Sequence, residues 1–368
     1  MKQWIAVFAA LPLFFVLNGK SGDALKGTWS TTVSERKDKI HLRISYGDDS
    51  YSSFGISPSE FTGLTLSQAK GTTGDMEFSL VREAGTISFR GKFEDGEGSG
   101  HFNFVRNEKY ATDLAAGYGE PTEDDLFSLA IHGVSIDYAK KMANAGLSRV
   151  TIDDLVSMSI HEVTPEYVAG LNKFGYLHLT PDDLVSMCIH DVKLEFIGGM
   201  RDLGYTRLTP DDLVSMRIHG ATVEFVKGLK SYGYENLAAD DIVSMLIHEV
   251  SIDFIKYLDS IGYKGISPDD LVSMEIHNVD QEYLGKLAAL GYDGVSPDDL
   301  VSMRIHGVEP EFIKGLTDLG IKNISPDDLV SMSIHGVTVG WVKHLEDQGY
   351  KHLTADRLVD MRIHGTDE

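Results

Sequence analysis

The sequence predicts an α+β chain in two parts: a small antiparallel β sandwich or barrel, followed by an all-α solenoid of two-helix repeats. Three observations predict it. Apolar and polar residues alternate through short runs between residues 26 and 107, the period of half-buried strands. An Ile-His dipeptide then recurs every 29 residues, from His132 to His364, without an insertion or deletion. Around it, most repeats carry a Ser or Thr followed by Pro-Asp-Asp, which starts a helix, and a glycine that ends a second one.

At 368 residues, 42% apolar and 24% charged, the chain has material for packed cores and is neither a disordered tail nor a disulfide-dependent miniprotein. Its formal charge of −23 is concentrated: residues 1–120 hold 13 Lys+Arg against 15 Asp+Glu, whereas residues 121–368 hold 20 against 41. That acidity repels nucleic acid and anionic lipid, so neither is expected as a partner. Cys188 is the single cysteine, which excludes an internal disulfide, a cysteine zinc site and a redox pair.

Residues 1–19 read as a signal peptide. Lys2 precedes an apolar run from Ile5 to Leu17, and the chain turns polar at Asn18-Gly19-Lys20. The run is short of the roughly 20 residues a spanning helix needs. Export to the periplasm or the extracellular space is expected, with no membrane span once the signal is removed.

Residues 26–107 form the β domain. Ile40, Leu42 and Ile44, then Met76, Phe78 and Leu80, Ile87 and Phe89, and Phe102 and Phe104 alternate between Gly-, Asp- and Ser-rich breaks, giving about six strands. His41 and His101 are expected as exposed strand residues without chemistry. Residues 108–120 are expected to be a linker.

Residues 121–368 are eight and a half repeats, whose physical content is legible in residues 296–321. Ser296 caps a helix, Pro297 sits where its missing N–H costs nothing, and Asp298 and Asp299 complement the positive end of the helix dipole. Leu300, Val301, Met303 and Ile305 are expected to form an apolar stripe on this first helix. A tight corner at Gly307-Val308 leads to a second helix with Phe312, Ile313, Leu316 and Leu319 inward, stopped by Gly320. Helices this short are marginal alone, so neighbouring repeats must stack.

The recurrent polar residues have structural roles in this reading. His161, His190, His219, His248, His277, His306 and His335 fall in the last turn of the first helix, where an imidazole can bond terminal carbonyls. Stacked rungs roughly 10 Å apart cannot share a zinc, whose ligands sit within about 2.1 Å. The aspartate pairs act as caps, the serines as small packing residues and the methionines as core. No catalytic, metal-binding or cofactor-binding residue is assigned. The slot that holds Cys188 in one repeat holds Arg217, Leu246, Glu275 and Arg304 in others. That variability predicts a solvent-facing strip able to read a partner. A second strip, on the second helices, includes Lys227, Lys256 and Lys314.

The repeats, for example LTPDDLVSMRIHG at 208–220 and GVEPEFIKGLTDLG at 307–320, resemble those in the extracytoplasmic tails of bacterial membrane metallopeptidases of the beta-lactam-sensor type and in standalone exported relatives. The resemblance covers residues 121–368. It does not carry peptidase activity over: the sequence holds neither the family's spanning helices nor its His-Glu-x-x-His zinc helix, His161-Glu162 having no second histidine at helical spacing. The expected function is that of an exported, non-enzymatic binding or scaffold protein whose partner is another protein, a cationic one fitting its charge. The alternative is a metal- or pH-responsive sensor or buffer using the histidine ladder.

Overall fold

The computed structural model describes residues 25–33, 39–47, 50–147 and 149–365. The expected signal peptide, residues 1–19, lies outside them. Strands β1 (Lys26–Val33), β2 (Ile40–Tyr46), β3 (Ser50–Ile56), β4 (Met76–Arg82), β5 (Gly85–Glu94) and β6 (Glu97–Arg106) form one antiparallel sheet in the order β3-β2-β1-β6-β5-β4. The register sets Trp29 opposite Ile44 and Gly100, Leu42 opposite Phe54, and Phe89 opposite both Phe78 and Phe102. With a side-chain period of two, these residues share one face, while His41, Arg43, Arg90 and His101 stand exposed on the other.

Trp29 and Phe78 lie on strands three places apart, roughly 14 Å in a flat sheet. Their ring centroids are nevertheless 5.2 Å apart, so the sheet is curled around its apolar face. Gly91 permits the curl, because a Cβ there would come within 2.8 Å of the Trp29 indole. Of the sandwich or barrel expected from the sequence, the structure gives the antiparallel sheet and fixes its form as a single curled layer. A short helix, α1 (Leu66–Lys70), and the first repeat pack on strands of this sheet.

The expected linker is corrected. Residues Glu108–Tyr118 form a helix, α2, capped by Asn107, whose side chain accepts the Lys109 and Tyr110 N–H groups. Tyr110 and Leu114, one turn apart, are buried. The Tyr110 hydroxyl donates to the Val134 carbonyl at 2.8 Å, the bond that Tyr138 makes to Val163 and Tyr283 makes to Val308 one repeat further on, each at 2.9 Å. The helix therefore serves the first repeat as the preceding repeat's second helix would.

Beyond it the described residues hold nine first helices, from Glu123–Ile131 to Ala355–His364, and eight second helices, from Ile136–Ala143 to Val339–Asp347. The chain divides into two compact units, Met1–Ile189 and His190–Glu368, the division falling between the two helices of the third repeat. Within each unit, first helices pack on first helices and second helices on second helices. Leu213, Leu271, Leu300 and Leu329, with Met216, Met274, Met303 and Met332, are fully buried between the layers. Close approach of consecutive second helices depends on Gly315, where a Cβ would lie 2.6 Å from Val339.

Candidate functional site

Each repeat is built from its first turn. In the repeat beginning at Thr209, the Asp212 N–H donates to Thr209 Oγ1 at 3.1 Å and Asp212 Oδ2 accepts the Thr209 N–H at 2.8 Å, a reciprocal cap. With serine caps the pairing changes: Ser267, Ser296 and Ser325 donate their hydroxyls to Asp270, Asp299 and Asp328 at 2.7–2.8 Å. The second aspartate of each pair is thus consumed by the helix start. The first is not. Asp211, Asp240, Asp269, Asp298 and Asp327 are exposed, and none has a lysine or arginine partner among the described residues. In the N-terminal unit the corresponding Asp153 is held above the usual carboxylate range, by burial first and then by the charges of Asp125 and Asp154.

The histidines do not act as expected. The His219, His277, His306 and His335 backbone N–H groups donate to the serine four residues earlier at 3.1–3.2 Å, which closes the first helix. It is their main-chain carbonyls, not their rings, that carry a repeated contact. Ser159 and Ser333 donate their hydroxyls to the His132 and His306 carbonyls at 3.2 and 2.6 Å, and Arg304 Nε donates to the His277 carbonyl at 3.3 Å. Among the described residues no group of three or more His, Cys, Asp or Glu is placed to hold a metal ion.

Those contacts relocate the variable slot. Arg217, Leu246, Glu275 and Arg304 are half-buried, and the two arginines turn back on the preceding repeat, so the expected solvent-facing strip is corrected. The guanidinium of Arg217 lies 5.3 Å from the Phe196 ring centroid, that of Arg304 4.6 Å from Tyr283 and that of Arg362 3.9 Å from Trp341. Each aromatic lies 21 residues before its arginine, and Tyr138, Tyr167, Phe225, Phe254 and Phe312 hold the equivalent place in the other repeats. That invariant aromatic position is the sequence signal that could have placed the slot at a junction. Arg217 also reaches the Asp191 carbonyl and carboxylate at 3.2 and 3.3 Å, and Arg304 pairs with Glu309 at 3.0 Å. Glu275 is raised by burial and by the nearby Glu249 and Asp280 charges. Cys188, in the same slot, is pushed up to about 11 by burial, with Glu162 adding to the shift, so it is a poor thiolate.

The second strip is exposed as expected: Lys227, Lys256 and Lys314 face solvent, Lys314 paired with Asp318 at 2.7 Å. A third strip was not legible in the apolar pattern. In the C-terminal unit the isoleucine before the recurrent histidine, placed in the buried stripe by its spacing, is exposed: Ile218 by 53%, Ile247 by 51%, Ile276 by 49%, Ile305 by 54% and Ile334 by 56%. Each stands seven residues after the exposed aspartate, almost two full turns, and so shares its face. Leu and Met occupy the opposite, buried face. The outward side of every first helix in the C-terminal unit therefore reads carboxylate at its start and isoleucine at its end. Between consecutive helix starts lie open clefts of about 650 Å³ beside Tyr263, Asp270 and Asp293, with Lys264, and about 630 Å³ beside Tyr205, Asp212 and Asp240, with Arg207.

The first repeat shows this face occupied. There Ile131, the counterpart of the exposed isoleucines, is buried, as is Phe127 one turn before it, which stacks on Phe102 at 5.3 Å and meets Tyr46 edge-on at 5.0 Å. His132 lies 5.7 Å from the Phe54 ring, and burial pushes its imidazole down to about 4. Among known proteins, no family model matches this chain and no curated protein matches it.

Proposed function

We propose that the chain is an exported, non-enzymatic protein-binding scaffold that holds a cationic partner protein on its acidic repeats. One observation carries the reading: the row Asp211, Asp240, Asp269, Asp298 and Asp327, exposed at successive repeats and left without a basic partner among the described residues. The cap hydrogen bonds are made by the second aspartate of each pair, so the first, which also complements the helix dipole, keeps its carboxylate open to a partner. An excess of 41 acidic over 20 basic residues in 121–368 gives the same surface a long-range attraction for cations. No helix among the described residues is long and apolar enough to cross a membrane. The non-enzymatic part of the reading is supported by the second aspartate of each pair and by the histidine backbone, which serve as caps and helix ends.

The test is capture from an envelope extract with the full chain and with a variant carrying Asp→Asn at those five positions. The wild type should retain a basic protein that elutes as salt is raised, and the variant should lose it. Recovery of nothing above background at low and moderate salt would overturn the reading. Cell fractionation that leaves the chain in the cytoplasm would overturn its exported part.

A further inference from the structure

We infer that the outward face of the first helices in the C-terminal unit is a docking surface for a basic amphipathic helix of the partner. Its apolar side chains would lie on the row Ile218, Ile247, Ile276, Ile305 and Ile334, and its lysines and arginines would reach the row Asp211, Asp240, Asp269, Asp298 and Asp327. The inference rests on the scaffold reading above and names the surface and the partner's chemistry.

Three observations lead to it. First, the isoleucines recur in every repeat and are about half exposed throughout the C-terminal unit, whereas an isolated apolar side chain on an acidic surface has no structural need to recur. The histidine that follows each one uses its backbone to end the helix, so helix termination does not account for the isoleucine. Second, the same face of the first repeat is already an interface. There Ile131 and Asp124 hold the places of the isoleucines and aspartates: Ile131 is covered and the Asp124 carboxyl is raised by burial first, while Tyr46 and Phe54 of the sheet lie against the neighbouring Phe127 and His132. The outward side of a first helix in this protein is thus a surface on which apolar side chains dock, and in the later repeats it is open.

Third, the dimensions fit one element. Packed helices sit roughly 8–10 Å apart, which sets the spacing of the isoleucine row. An α-helix lying across the row presents a side chain every seven residues at about 10.5 Å, close to one for each isoleucine. The aspartate row stands about 10.5 Å from the isoleucine row along each first helix, near the width of a helix with its side chains. A helix seated on the isoleucines therefore lays a flanking basic edge over the carboxylates. A second copy of this chain would bring a like-charged surface to the same place, and the excess of acidic residues disfavours it.

The test uses the full chain and a labelled synthetic helix with leucine at every seventh position and its neighbouring turn, and lysine along one edge, read by fluorescence anisotropy at low and moderate salt. Two variants are compared with wild type: Ile247→Ser with Ile276→Ser and Ile305→Ser, and Asp240→Asn with Asp269→Asn and Asp298→Asn. The isoleucine variant should bind about tenfold more weakly or worse at both salts, with an unchanged melting temperature, and Leu at the three positions should restore binding. The aspartate variant should bind more weakly at low salt and show a flatter salt dependence. Undiminished binding by the isoleucine variant, or equal binding of a lysine peptide without leucine, would overturn the inference and leave the scaffold reading standing on its own capture experiment. Failure of wild type to bind the helix at either salt would overturn it too. A wild-type dimer that the isoleucine variant converts to monomer in sedimentation would assign the face to self-association instead.

Discussion

The first repeat and the repeats of the C-terminal unit use one helix pattern in two settings. Under the sheet, Leu126, Phe127, Leu129, Ala130 and Ile131 are all buried. In the helix Pro297–Ile305, only Leu300 and Met303 are buried, Arg304 is half-covered and Ile305 is exposed. The difference teaches that the two inward positions belong to the hairpin itself, while the remaining positions are buried or bare according to what lies beside them. The sequence marks the contrast modestly: Phe127 stands where the others have valine, and Leu129 and Ala130 where the others have methionine and the variable slot.

The largest test of that comparison is truncation at the sheet contact. Phe127→Ala should destabilise the N-terminal unit by about 3–5 kcal/mol, and Ile131→Ser should also be costly, whereas Ile305→Ser should stay within about 0.5 kcal/mol. Urea unfolding of the three variants measures this, and equal effects at Ile131 and Ile305 would erase the distinction between the settings.

Acid separates the settings next. The unfolded chain takes up a proton on His132 near its ordinary 6.5, and the folded chain does so only near 4. Between those values the unfolded state binds more protons, so stability present above 6.5 is lost as the pH falls toward 4, by about 3 kcal/mol. Replacing His132 with Gln should remove that part of the pH dependence, measured as the difference between the wild-type and variant stability curves.

Smaller effects sharpen the account of the junctions between repeats. A double-mutant cycle of Arg304→Ala and Tyr283→Leu should give a coupling of about 1 kcal/mol, the value of a partly desolvated cation over an aromatic ring. No coupling would return the variable slot to solvent. Ala238 is the one repeat start among the described residues whose side chain has no acceptor, and it keeps only the Asp241 contact to its N–H at 3.2 Å. Ala238→Thr should add about 1 kcal/mol, read as a raised melting temperature. A lowered one would mean that the added side chain does not meet the helix start.

The candidate surface was half legible. The aspartates were visible as a repeated helix-start signal, and the finding that one of each pair is spare needed the hydrogen bonds of Asp212 and its counterparts. The isoleucines were visible as a repeat, yet the four-residue spacing of Ile305 from Val301, beside Leu300 and Met303, suggested burial. Counting from the aspartate instead places Ile305 seven residues after Asp298, on the outward face. The helix Glu108–Tyr118 escaped because Tyr110 stands 28 residues before Tyr138, one short of the period.

What the sequence determined alone is whatever closes within a turn or two: the 29-residue period, the capped starts, the glycine stops and the alternation that makes each strand one-sided. These depend on groups a few residues apart, whose geometry the backbone dictates. What only the tertiary structure decided is the curl that brings Trp29 to Phe78, the turn of Arg304 onto Tyr283, and the outward display of Ile305 beside Asp298. Each of these depends on neighbours distant along the chain, and burial is a property of the pair of surfaces that meet, not of the residue that either contributes.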